Sequence, residues 1–172
     1  MKLISNLYAT HGLMLLCVVI AVVLSIPEAR GRVMAAWRVP VAAALAVLSA
    51  LILIAYPTWG ELKNPALWAF AIGATVVGIV RGYWMQLDVD QGNHLVRLTK
   101  AQDGIVLAIT LLILVLLEIA AAILAPSGQP TAELGLSIVA FFLAGRAAAV
   151  VWRARNEPQT DLYDRPPPPV EE

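Results

Sequence analysis

Two ionisable residues stand inside long apolar runs of this sequence. Glu118 has fourteen uncharged residues on each side, and Arg146 follows twelve and precedes six. A charge at such a position in a membrane helix costs about 3 kcal/mol on insertion scales, so it faces a bundle interior. Two roles suit Glu118. One is a proton or cation relay, or part of a substrate site. The other is a hydrogen-bonded carboxyl that helps helices pack. Arg146 has a long stem that can snorkel to the interface. Its sharper role is a pair with Glu118. Depth opposes that, because the two sit about 10 Å apart along the membrane normal at 1.5 Å rise per residue.

The two histidines divide between opposite ends. His11 lies near the outer end of the first apolar run, as a neighbour for Glu118 or as an interfacial residue. His94 belongs to a polar loop with Asp88 and Asp90, which reads as a metal site or as a solvated acidic turn. Histidines on opposite sides cannot ligate one metal or one haem iron. Cys17 is the single cysteine, so no internal disulfide and no Cys-x-x-Cys exchange chemistry is available. There is no Gly-rich phosphate loop, no zincin pair and no Ser/His/Asp set on one side. No catalytic residue, cofactor or metal is therefore expected, and non-enzymatic roles are favoured over an enzyme.

The elements that must position these groups follow from hydropathy. Of 172 residues, 60% are hydrophobic and 14% charged, against about 25% charged in an ordinary soluble domain. The mean hydropathy is +0.78. A soluble chain this small cannot bury so much apolar surface, so the bilayer is its solvent. The net charge of zero gives no field for a nucleic acid, and none is expected as a partner. Five runs are long enough to span: about 8–26, 37–56, 66–85, 104–125 and 132–152. Pro27 is expected to close the first, and its end lacks a small-x-small cleavage pattern, so it reads as a retained helix. Pro57 and Pro65 bracket the second loop; Pro126 and Pro130 mark a short last turn.

Charge placement orients the spans. One side receives Arg30, Arg32, Arg38, Arg81, Arg97, Lys100, Arg146, Arg153, Arg155 and Arg165; the other receives Lys2 and Lys63. Basic residues collect on the cytoplasmic side, so the N-terminus is outside and the C-terminus inside. The expected fold is an all-α, five-span transmembrane bundle over 1–153, multi-pass in a bacterial inner membrane. Trp37, Trp84 and Trp152 mark the inner interface; Trp59 and Trp68 mark the outer. Arg81, Arg97 and Lys100 are candidates for an anionic headgroup at the inner surface. Gly78 and Gly82 offer a close helix contact.

Between spans three and four, the alternating run Gln86–Asp90 and the run His94–Thr99 flank the turn signal Gln91-Gly92-Asn93. This predicts a short cytoplasmic hairpin or an irregular polar loop. Residues 154–172 are polar and contain four consecutive prolines, Pro166–Pro169, near their end, which suits a disordered tail or a docking motif for a proline-reading partner.

From the third span onward the order of features resembles the CcdC-like family of small bacterial membrane proteins. The carrying residues are Gly78 and Arg81, then Asp90-Gln91-Gly92-Asn93, then Arg97-Leu98-Thr99-Lys100, the apolar fourth span and Trp152-Arg153. They cover about half the chain. Glu118 stands where the family pattern has a basic residue, and the first two spans match nothing in it. The resemblance implies a link to cytochrome c biogenesis and carries over no catalytic residue. The expected role is an assembly or accessory subunit bound to a membrane-protein partner or to its own copies. The rival is a small oligomeric transporter or proton-coupled channel that uses Glu118.

Overall fold

The structure is a computed structural model that describes residues 9–55, 65–98, 102–124, 132–160 and 162. Five helices and three strands run in the order α1 (Ala9–Ala29), β1 (Met34–Ala35), α2 (Arg38–Ala55), α3 (Pro65–Trp84), β2 (Leu87–Asp90), β3 (Leu95–Leu98), α4 (Asp103–Leu124) and α5 (Ala132–Asn156). Four of the helices are long and apolar enough to cross a membrane; α2 is apolar but shorter over Arg38–Ile54. Large apolar side chains stand outward along them, among them Leu16, Val23, Ile72, Val77, Leu117 and Leu124. So much exposed hydrocarbon is incompatible with water and suits lipid.

Helix α1 does not stop at Pro27. Proline lies in its last turn, and the chain closes the helix further on with a Schellman motif. Gly31 takes a left-handed φ of 57°. Its N–H donates to the Glu28 carbonyl at 2.9 Å, and the Arg32 N–H donates to Pro27 at 3.0 Å. The extension matters because it carries Glu28. Helix α5 also exceeds its expected end at Trp152 and runs to Asn156. The added turn is held by Arg153, which pairs with Glu157 one turn on at 2.6 Å.

Helix α5 packs against α2, α3 and α4, and α1 packs against α2 and α4. The α3–α5 seam is made by glycine. A Cβ on Gly78 would meet the Phe142 carbonyl, and one on Gly145 would meet the Thr75 carbonyl. A Cβ on Gly82 would stand 2.7 Å from that of Ala149. Lipid offers no hydrophobic drive for helices to associate, so close backbone approach supplies the packing energy instead. Met14, Leu111, Val115, Leu136 and Val150 fill the remaining core.

The hairpin forms, and a third strand joins it. β2 pairs antiparallel with β3, setting Asp88 opposite Arg97 and Val89 opposite Val96. β1, from the α1–α2 connection, pairs with the other edge of β3, with Met34 opposite Val96. The sheet order is β1-β3-β2. Two residues carry no periodic signal, which is why β1 is invisible in the sequence. The sheet gathers the α1–α2 and α3–α4 connections at one end of the bundle. The chain after α5 also returns to it: the Thr160 N–H donates to the Val89 carbonyl at 2.8 Å, and Leu162 is buried.

Alanine normally stabilises an exposed helix position by up to about 1 kcal/mol relative to glycine. Gly145→Ala reverses that sign here, because its methyl drives into the α3 backbone. A lower thermal midpoint in detergent is the expected result, and an unchanged or higher one contradicts the seam.

Candidate functional site

Among the described residues the ion pairs that join helices lie at the sheet end. Arg146 of α5 and Glu28 of α1 form an ion pair with both side chains almost wholly buried. The pair is bidentate, with the second contact at 3.5 Å. Arg146 Nε also points at the Met85 sulfur, 3.2 Å away. Glu28 accepts the backbone N–H of Gly104 in the first turn of α4. A carboxylate there meets the positive end of the helix dipole. Gly104 has room for this only as glycine, since a Cβ would stand 2.6 Å from the carboxylate oxygens. One acid thus binds α1, α4 and α5.

A second layer of charge surrounds the pair. Arg81 of α3 pairs with Asp103 at the start of α4. That contact is part-exposed and contributes little alone. Arg153 Nη1 donates to the carbonyls of Gly82 at 3.0 Å and Met85 at 2.5 Å. It caps the C-terminal end of α3, where a cation is favoured. Beside Glu28 and Arg146 is a void of about 20 Å³, also lined by Ser25 and Arg38. It is the size of one water. Among the described residues Arg38 Nε finds no acceptor.

Arg146 therefore does not snorkel to solvent, and it does not pair with Glu118. Its stem reaches toward the sheet end and stops at Glu28. Glu118 lies fifteen residues along α4 from Asp103, about 22 Å at the helical rise. It is half-buried, and His11, buried on α1, is the side chain it interacts with electrostatically. Arg81 is engaged with Asp103, so it is not a free headgroup cation. Arg97 sits opposite Asp88 within the sheet. Lys100 falls outside the described residues.

The loop acids do not gather as ligands. Asp90 accepts from the Asn93 backbone at 3.1 Å and from the Asn93 amide at 2.8 Å. These bonds hold its carboxyl below the ordinary range and close the turn. His94 follows with a left-handed φ of 53°, and its carbonyl accepts the Ala36 N–H at 3.0 Å. Among the described residues no three His, Cys, Asp or Glu side chains come together as a metal site. A cleft of about 540 Å³ lies between the sheet and the bundle, lined by Trp37, Asp90, Gln91, His94, Val151 and Arg155 among others.

Sequence reasoning missed Glu28, Met85 and the capping role of Arg153. The signal for Glu28 was present. An arginine inside a span requires an acid, and Glu28 is the acid that ends the first apolar run on the basic side. Pro27 concealed it by marking an early helix end. Searches of known protein families, curated proteins and solved structures find no match to this chain.

Removing one partner of a buried ion pair costs about 3–5 kcal/mol, because the other charge is left uncompensated. Glu28→Gln should lower the unfolding midpoint strongly in detergent, and Arg146→Met should do the same. The double variant Glu28→Leu/Arg146→Met should recover most of the loss. Equal and additive losses would show that the two residues act independently.

Proposed function

We propose that this chain is a non-enzymatic assembly or accessory subunit of the bacterial inner membrane, with five spans, N-terminus out and C-terminus in. The observation that carries the reading is the sheet. Two connections and the segment after α5 combine there into a folded unit, although short loops would suffice to join the helices. The buried ion pair supports it too. Both charges are satisfied within the protein, which suits a tie between helices better than a reactive centre. Basic residues crowd the sheet end, in keeping with a cytoplasmic position. Exposed Trp37, Trp84 and Trp152 lie toward the same end, where indole rings suit the headgroup level. The resemblance to the CcdC-like family adds cytochrome c biogenesis as the setting.

Copurification from native membranes in mild detergent tests this. Wild type should carry a stoichiometric protein partner. Asp88→Ala, on the sheet, and a chain ending at Leu162, which keeps the Thr160 bond, should each reduce it several-fold. If no partner appears, or neither change affects it, the accessory reading is lost.

One observation favours the transporter. Glu118 and His11 are titratable groups from adjacent helices, set together away from the sheet end. In that reading Glu118→Gln abolishes a pH-dependent flux in vesicles. A flux that survives the substitution removes Glu118 from the mechanism.

A further inference from the structure

A second cavity of about 710 Å³ runs along the outside of the bundle between α2 and α5. It shares Pro40, Val151 and Arg155 with the cleft under the sheet, so the two form one groove. Its walls repeat at helical spacing on both helices. On α5 the lining residues are Ala144, Ala147, Ala148, Val151, Trp152 and Arg155. Small residues make the deep part, and tryptophan and arginine make the sheet end.

The length of the groove identifies its occupant. Arg155 is eleven residues on from Ala144, about 16 Å of helix. One leaflet of the hydrocarbon core is about 15 Å deep, half of roughly 30 Å. A crossing helix of a partner would need a seam through both leaflets. An acyl chain needs one. The polar end supplies charge complementarity. Arg155 is exposed, and it takes no part in the ion pairs found among the described residues. Arg30, Arg32 and Arg38 lie toward the same end but do not line the groove. Asp90 lines the cleft, but its carboxylate is tied to Asn93.

We propose that this groove binds one anionic phospholipid from the leaflet at the sheet end. One acyl chain lies between α2 and α5, and the headgroup phosphate rests on the Arg155 guanidinium, with Trp152 and Trp37 at the headgroup level. The inference rests on the membrane setting alone and is independent of the accessory reading.

The test is native mass spectrometry of the full chain taken from vesicles of equal phosphatidylglycerol and phosphatidylcholine. Wild type should retain one phosphatidylglycerol in preference to phosphatidylcholine by about fivefold, the contribution of a single basic group near a bilayer surface. Arg155→Gln should bring the ratio close to one. Ala148→Phe, at an exposed position inside the groove, should remove the bound lipid while the unfolding midpoint stays unchanged. Equal retention of both lipids by wild type overturns the proposal, as does an unchanged ratio in Arg155→Gln. So does efficient crosslinking of Ala148→Cys (with Cys17→Ala) to a second copy or to another protein's helix.

Discussion

A guanidinium and a carboxylate set in apolar surroundings tolerate few arrangements of the helices that carry them. Arg146 must find its acid within the protein, because the hydrocarbon offers none. Only one depth of α1 against α5 brings Glu28 to it. The same depth places the Glu28 carboxylate at the first turn of α4, where the dipole and the Gly104 N–H complete its shell. Such a pair adds modest net stability for the desolvation it costs. Its larger effect is on register. With the end of α1 held beside α5 and α4, the next residues of the chain emerge next to the α3–α4 connection, and β1 meets the edge of β3.

The remaining helix is held by a different kind of contact. α3 has no buried charge of its own to anchor it. It approaches α5 so closely that glycines at 78, 82 and 145 are required. Arg153 then caps its end, and Arg81 joins it to α4. Among the described residues the ion pairs lie at the sheet end. Glu118 and His11 lie on α4 and α1, away from that end.

The sheet end is where this protein differs from a plain bundle. Polar strands cannot lie in hydrocarbon with unpaired backbone groups. Here the strands pair with one another, bury Val89, Val96 and Leu98 against the helices, and receive the chain after α5. The cleft and the groove beside it share Pro40, Val151 and Arg155, so an apolar channel between α2 and α5 leads to Trp152, Arg155 and Trp37 at the sheet end.

Much of the architecture was legible in the residues alone. The apolar runs give the helices to within a few residues, because a bilayer imposes a length that any spanning helix must meet. The turn at Gln91-Gly92-Asn93 marks the hairpin, since Asp90 and Asn93 close it locally. The glycine spacing of α3 marks the seam with α5. Local chemistry settles each of these. Tertiary structure decided the rest. The partner of Arg146 lies 118 positions away, and no local pattern joins them. Pro27 looks like a stop, but the left-handed Gly31 ends the helix one turn later, and that turn delivers Glu28. The two residues of β1 become a strand only because β3 offers them an open edge. Arg155 shares one groove with Trp37 only after α2 and α5 have packed. Sequence specifies the pieces through local propensity and hydropathy, and the bundle selects which distant charges meet.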